Sequence, residues 1–430
     1  MKRKQHNVLI FPGGTEIGNE IYKSLKGAKE INLFSASSNV VNHASYIFKK
    51  HYEVSPVDNS KWIEEINEIV TQQNINFIFP ANPYIIDALD GVRDLIKCEI
   101  ILPSTEVVKL IRSKSSTYEK FEGIINVPTT YSSIDEIDEY PVFVKPDSAY
   151  GSQGAEKISN KDDIAKFFGT EYIVSEYLEG TEYSIDCFSN INGDLLFSQG
   201  RTRERIRMGT SMHSELVSNE LNQEFKEVAL AIARTLKITG CWFFQMKTDS
   251  TGALKLLEIE TRIAGTMALN RVRGVNFALL SILEHAGVST SILLNENTIN
   301  IDRCLLNRYN HSIEFKNVYV DLDDTIIIHN KVNTEIIKFI YQCINYNIPV
   351  ILITKSIEND LESFLSKYKI KQLFDEIIWL KESDKKSKYI TLPNSIFIDD
   401  SYSQRLEVAT ICKIPTFDPS MIEMLINDKS

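Results

Sequence analysis

Two stretches of the chain put carboxylates where apolar side chains belong. In Leu256-Leu257-Glu258-Ile259-Glu260-Thr261-Arg262 the glutamates stand two apart. On a strand both leave one face, and Arg262 adds a cation to it. Such a pair is costly in an apolar strand unless it holds a divalent cation. Mg²⁺ takes one or two carboxylates plus phosphate oxygens. Farther on, Val318-Tyr319-Val320 breaks into Asp321-Leu322-Asp323-Asp324-Thr325. Asp321, at a strand end, could attack a phosphoryl group and form an aspartyl phosphate. Asp323 could protonate the leaving oxygen and then activate water. A cation held by the same cluster would remove the repulsion.

Three further patterns suit anions and nucleotides. Phe143-Val144-Lys145-Pro146 precedes a small-residue loop, Gly151-Ser152-Gln153-Gly154. The lysine offers charge to phosphate, and the glycines let backbone N–H groups close over anionic oxygens. Glu176 and Glu182 flank Tyr177-Leu178 on a glycine-bearing turn. They read either as solvated surface, or as Glu176 and the backbone near Leu178 on an adenine edge with Glu182 on a ribose hydroxyl. Phe243-Phe244-Gln245-Met246-Lys247 lies one hairpin before the glutamates, where Gln245 could join them. Arg201, Arg203, Arg205 and Arg207 alternate, which on one strand puts all four on one face. Arginine forks suit a carboxylate or phosphate, and Arg205 and Arg207 are the expected substrate contacts. Pairing with Glu204 and Glu215 is the other reading. His213 reads as a surface histidine.

The elements that must position these residues follow from periodicity. Asn7-Val8-Leu9-Ile10-Phe11-Pro12-Gly13-Gly14 reads as a buried strand and a glycine turn leading into a helix, and further apolar strands alternate with amphipathic helices. That is the pattern of a parallel α/β sheet. Residues 104–124 read as one charged helical stretch. Beyond 140, period-2 segments and the turns Asn192-Gly193-Asp194 and Asp249-Ser250-Thr251-Gly252 predict antiparallel hairpins, with a helix over 222–238 between them. A polar joint over 307–317 leads into a second α/β series.

The chain has 430 residues, enough for several domains. A net charge of −11 argues against general nucleic-acid binding. No apolar run reaches the roughly 20 residues of a membrane span, and the basic N-terminus lacks a cleavage-type tail, so a cytoplasmic protein is expected. The six cysteines, scattered and without CxxC spacing, read as buried small hydrophobes.

In order along the chain, Lys145, the glycine loop, the Glu176–Glu182 hinge, the Gln245 strand and Glu258-Ile259-Glu260-Thr261-Arg262 resemble the ATP-grasp superfamily. The pattern is similar to the carbamoyl-phosphate-synthase-like carboxylate–amine ligases over roughly residues 1–300. The resemblance implies Lys114 and Lys145 on phosphate, Gly151, Ser152 and Gly154 in the ATP loop, and Glu176, Leu178 and Glu182 on adenine and ribose. It also implies Gln245, Glu258 and Glu260 on Mg²⁺ or Mn²⁺, and Arg262 over the transferred phosphate. The family usually ends this strand Glu-Ile-Asn-Pro-Arg, so Glu260 adds a negative charge. The implied reaction joins a small-molecule carboxylate to an amine through an acyl phosphate. Members are often dimers.

The Asp321-to-Thr325 motif resembles that of the haloacid dehalogenase (HAD) phosphatases. Thr354 after Val350-Ile351-Leu352-Ile353, a lysine among Lys386, Lys388 and Lys381, and Asp399-Asp400 after Ser395-Ile396-Phe397-Ile398 follow in that family's order. The resemblance implies Asp321, Asp323, Asp399 and Asp400 around Mg²⁺ and Thr354 and Lys386 on the phosphate; the short tail leaves no room for a large cap. The expected architecture is α/β throughout. It comprises a pre-ATP-grasp Rossmann-like domain over 1–103, an α+β ATP-grasp domain over 104–306 and an uncapped HAD-like domain over 314–430. The adjacency suggests that one phosphorylated metabolite is both ligated and dephosphorylated. A regulatory tail and a kinase that stops after phosphorylation are the alternatives.

Overall fold

Residues His6–Phe11 form the central strand β1, and their neighbours build a parallel sheet around it. The series runs α1 (Glu16–Leu25), β2 (Ile31–Ser38), α2 (Ala44–Ile47), β3 (His51–Val54), α3 (Lys61–Gln72), β4 (Phe77–Pro80), α4 (Pro83–Gly91) and β5 (Glu99–Ile100), in sheet order β3-β2-β1-β4-β5. Val8, Leu9 and Ile10 are wholly buried because helices cover both faces. Val8 and Ile10 pack with Ile21 and Leu25, while Leu9 and Phe11 pack with Trp62 and Ile66. The order reverses between β1 and β4, the point where doubly wound sheets leave a crevice. There Thr15 caps α1 and its hydroxyl donates to the Ala81 carbonyl at 2.9 Å, while Asn82 caps α4. Gly18 lets α1 approach this turn: a Cβ on it would lie 2.7 Å from the Gly13 carbonyl oxygen.

This is a computed structural model that describes residues 5–38, 40–148, 153–207, 209–427 and 429. It divides into two compact units that meet between Leu305 and Leu306. None of the helices among the described residues is long and apolar enough to cross a membrane.

The first unit continues with two helices, α5 (Thr105–Arg112) and α6 (Lys114–Phe121), where the sequence suggested one. Ser113 is extended and its hydroxyl accepts from the Ser116 amide, which starts α6 afresh with Lys114 as its first residue. Strands β6 (Thr130–Tyr131), β7 (Val142–Pro146), β8 (Glu156–Ile158) and β9 (Tyr172–Glu176) form an antiparallel sheet in the order β6-β9-β7-β8. Next come β10 (Glu182–Ser189), β11 (Leu195–Thr202), β12 (Glu204–Arg207), β13 (Thr210–Glu215), α7 (Asn219–Leu236), β14 (Gly240–Thr248) and β15 (Leu254–Glu260). The sheet β11-β10-β14-β15 buries Ile185, Cys187, Trp242 and Phe244 against Phe225 and Ile232 of α7. Each such side chain contributes about 1.5–3 kcal/mol. Helices α8 (Ala268–Val272) and α9 (Phe277–His285) and strand β16 (Asn300–Asp302) close the unit, β16 pairing with β13 in a small sheet β12-β13-β16.

The expected single face of arginines does not form. Arg203 separates β11 from β12, and Arg205 takes a left-handed φ of 44°, which breaks the alternation. Arg201 is buried against Asp186 at 2.9 Å, and Asn270 donates to the same carboxylate.

The second unit repeats the doubly wound scheme: β17 (Asn317–Val320), the hairpin β18 (Ile327–Ile328) and β19 (Lys331–Val332), α10 (Thr334–Asn345), β20 (Val350–Thr354), α11 (Leu361–Lys367), β21 (Glu376–Trp379), β22 (Ser395–Ile398), α12 (Tyr402–Cys412) and β23 (Thr416–Phe417). Its parallel sheet runs β21-β20-β17-β22-β23, so the order reverses between β17 and β22. All six cysteines are free. Cys187, Cys241 and Cys343 are buried as expected, but Cys304 is exposed on the chain segment after β16.

Candidate functional site

A cavity of about 490 Å³ in the first unit collects most of the residues marked in the sequence. Lys114, Lys145, Glu176, Leu178 and Glu182 are among its lining residues. Lys145 rises from β7 and donates to the Tyr118 hydroxyl at 2.8 Å; that hydroxyl donates to the Leu257 carbonyl at 2.9 Å. Burial pulls the Lys145 ammonium down to about 8, against the opposing pull of Glu258, Glu182 and Asp147. Lys114 reaches the Asp147 carbonyl at 3.1 Å and is also lowered, first by burial, with Lys145 adding to the effect. Glu176 accepts from the Thr129 amide and from Lys255, both at 2.6 Å, so its carboxylate is already engaged. Glu182 pairs with Arg203 at 2.6 Å. Gly154 has a φ of 73°, the left-handed turn that glycine tolerates, and Gln153 and Ala155 beside it line the cavity. Gly151 and Ser152 lie outside the described residues.

The acidic lining of the same cavity is built on β14 and β15. Gln245 stands opposite Glu258 and Phe243 opposite Glu260. The register then slips, Met246 facing Leu256, so Leu257 is an extra residue and forms a bulge beside the glutamates. Gln245, Glu258, Glu260 and Arg262 all line the cavity. The first three offer only oxygen or amide donors, the set a hard divalent cation accepts. Burial raises the Glu260 carboxyl, Arg262 opposes this, and Glu258 adds to it. Arg262 pairs with Glu260 at 3.1 Å and lies over the Phe243 ring at 5.0 Å, so the charge that Glu260 adds has a local counterion.

Two expected contacts are corrected here. Arg205 and Arg207 are exposed and do not line the cavity; Arg205 instead pairs with Asp302 at 2.6 Å. Of the four alternating arginines, Arg203 lines it, through the kink that follows β11. Strand alternation carries no mark of that kink. His213 bridges Asp302 and Glu215 on the small sheet, and these hydrogen bonds raise its pKa.

In the second unit, the reversal of strand order brings Asp321 and Asp399 to adjacent strand ends. Lys386 lies between them, donating to Asp321 at 2.6 Å and to Asp399 at 2.7 Å, with 1% of its side chain exposed. Lys381 and Lys388 are exposed. Burial pushes the Asp321 carboxyl up to about 7; Asp399 adds to the shift and Lys386 opposes it. Ligand oxygens of Asp321, Asp399 and Asp400 lie within 4.8 Å of one another. Asp323 does not join that group: its side chain is exposed on the turn between the end of β17 at Val320 and β18. The Thr354 hydroxyl is buried at the end of β20 and accepts from the Ser356 amide at 3.0 Å. Arg405, absent from the sequence reading, donates to the carbonyls of Asp399 and Asp400 at 2.5 and 2.6 Å.

The first unit has an ATP-grasp-like α/β fold. The biotin carboxylase domain of Hydrogenobacter thermophilus 2-oxoglutarate carboxylase, solved with MgADP, ADP and bicarbonate, superposes with a TM-score of 0.55 at 17% identity, over 67% of this chain and 72% of that one. N5-carboxyaminoimidazole synthetase from Staphylococcus aureus, solved with ADP, gives a TM-score of 0.54 at 17% identity over 68% and 81%. Residues 169–302 match a family model described as ATP-grasp in the biosynthetic pathway with Ter operon. The large chain of carbamoyl phosphate synthase from Methanothermobacter thermautotrophicus is 23% identical over 239 residues, 49% of this chain. That match spans only 22% of the relative's own length.

Proposed function

We propose that the first unit is an ATP-dependent carboxylate–amine ligase and that the second is a phosphomonoester hydrolase of the HAD type. The observation that carries the ligase reading is one cavity lined by two lysines, Lys114 and Lys145, together with Gln245, Glu258, Glu260 and Arg262. Lys114 and Lys145 hold the phosphates, Leu178 and the backbone beside it take the adenine, and Glu182 takes the ribose. Glu176 anchors the hinge through Lys255 and the Thr129 amide. Mg²⁺, held by Gln245, Glu258 and Glu260, supplies neutralisation of the phosphate charge when bound. A substrate carboxylate oxygen attacks the γ-phosphorus and ADP leaves. An amine then attacks the acyl carbon, and phosphate leaves as the amide forms. Arg262 and Arg203 face the charge that develops on the transferred group. The rate enhancement comes from positioning and fixed charge, since phosphoryl transfer asks little covalent chemistry of the protein.

The hydrolase reading rests on Lys386 bridging Asp321 and Asp399 at a strand-order reversal. Asp321 is the nucleophile, Asp323 the acid–base residue on the exposed turn that follows β17, and Thr354 and Lys386 hold the phosphate. Asp399 and Asp400 with Asp321 are the ligand set for Mg²⁺. Among the described residues of this unit, only the short β18–β19 hairpin lies between β17 and α10, so no large cap is inserted there, which suits a bulky phosphoester.

The test is ADP formation by the Asp321→Asn chain with ATP, Mg²⁺ and paired libraries of carboxylates and amines. ADP and an amide mass only when both partners are present is the expected result. ADP with one substrate alone, and a phosphate gained by that substrate, makes the unit a kinase. Wild type and Asp321→Asn compared on phosphorylated forms of any hit test the second unit.

A further inference from the structure

Tyr118 does not line the cavity, yet it is tied to a lysine that does and to the strand that carries its glutamates. It projects from α6 one turn after Lys114, so the helix presents both residues on one face. Its side chain is buried, at 3% exposure. The hydroxyl accepts from the Lys145 ammonium at 2.8 Å and donates to the Leu257 carbonyl at 2.9 Å. Leu257 is the bulge residue beside Glu258. One hydroxyl therefore joins the lysine strand β7 to the carboxylate strand β15, which belong to different sheets. The restart of α6 at Ser113 sets this geometry. A continuous helix from Thr105 would turn Lys114 and Tyr118 through a different angle.

We propose that Tyr118 is a positioning residue of the nucleotide site, its hydroxyl holding the Lys145 ammonium in register with the Glu258–Glu260 strand. The proposal rests on the nucleotide reading of this cavity. Lys145 is desolvated, and its charged form needs a hydrogen-bond acceptor before any phosphate arrives. Tyr118 supplies one; Glu258 from β15, Glu182 from β10 and Asp147 at the end of β7 act on the same ammonium through space, and Lys114 from α6 opposes it. Without the hydroxyl the ammonium loses that acceptor and the Leu257 carbonyl loses its donor. Lysine then sheds its proton at lower pH and is no longer aimed.

The experiment is Tyr118→Phe in the full chain, which keeps the buried ring, with MgADP and adenosine binding measured by calorimetry across a pH series. MgADP affinity is expected to fall about tenfold, a charge-assisted hydrogen bond's worth, while adenosine affinity holds. The alkaline loss of MgADP affinity is expected to move to lower pH. In a Lys145→Met background the same substitution is expected to change MgADP affinity little, because the partner is already gone. An unchanged MgADP affinity, or equal losses for MgADP and adenosine, overturns the proposal. Failure of the wild type to bind MgADP overturns the nucleotide reading itself and is seen before any variant is compared.

Discussion

Replacing Lys386 with methionine isolates the electrostatics of the second unit. The methionine fills similar volume but leaves Asp321 and Asp399 facing each other, 8% and 0% exposed at the side chain, without their cation. Removing one partner of a buried ion pair costs about 3–5 kcal/mol, because the charge left behind is uncompensated. The orphaned pair can take up a proton, since burial already raises the Asp321 carboxyl with the lysine present, so the low end of that range applies. A loss of about 3 kcal/mol speeds opening-limited amide exchange roughly a hundredfold. The assay is hydrogen exchange by mass spectrometry on peptides covering β17 and β22 in the intact chain. Lys386→Met is expected to accelerate those peptides, and added Mg²⁺ to restore much of the protection by binding the bared carboxylates. Lys388→Met, at an exposed position, is the control and should change nothing. Exchange in Lys386→Met indistinguishable from wild type would refute the idea that this lysine compensates the two aspartates.

Three more outcomes follow from the first unit. Arg203→Met should lower ligase turnover at least tenfold, whereas Arg205→Ala and Arg207→Ala, exposed and off the cavity, should stay within about twofold; steady-state ADP release separates them. Gly180→Ala places a Cβ 2.8 Å from the Thr248 carbonyl oxygen, which cannot yield as a side chain would. It should push the hinge over 177–181 off β14 and weaken MgADP binding about tenfold, read by calorimetry. His213 has its pKa raised by Asp302 and Glu215, so the stability it lends the β12-β13-β16 sheet is present below its ordinary value and lost as pH rises through the raised one. Exchange of peptides over 204–215 should be slower below pH 6.5 than well above it, and a pH-independent pattern, after correction for intrinsic rates, would contradict this.

The strand-and-helix skeleton was legible because its signals are local. Val8 to Phe11 and Val318 to Val320 are runs that only a doubly covered sheet can bury. The Glu258–Glu260 pair was legible because two carboxylates in an apolar strand violate burial so plainly. Arg203 was not, since the period-2 rule assumes an unbroken strand and the left-handed turn at Arg205 leaves no trace in residue type. The choice among Lys381, Lys386 and Lys388 depended on a single turn of 3₁₀ helix at Lys386–Lys388, too short for any periodicity. Tyr118 was hidden for another reason. Its partners Lys145 and Leu257 lie 27 and 139 positions away, and only the tertiary fold brings them together. Arg405 holds backbone carbonyls rather than side chains, and sequence carries no pattern for that.

The central claim, an acyl phosphate formed from ATP in the first unit's cavity, is tested most directly by trapping. The Asp321→Asn chain is incubated with ATP, Mg²⁺, a carboxylate library and hydroxylamine in place of the unknown amine, and hydroxamate is measured against ADP. Hydroxamate and ADP appearing together in equal amounts is the expected result, and it names the carboxylate at once. ADP with a stable phosphorylated product and no hydroxamate, for every acid that stimulates turnover, would contradict the ligase reading.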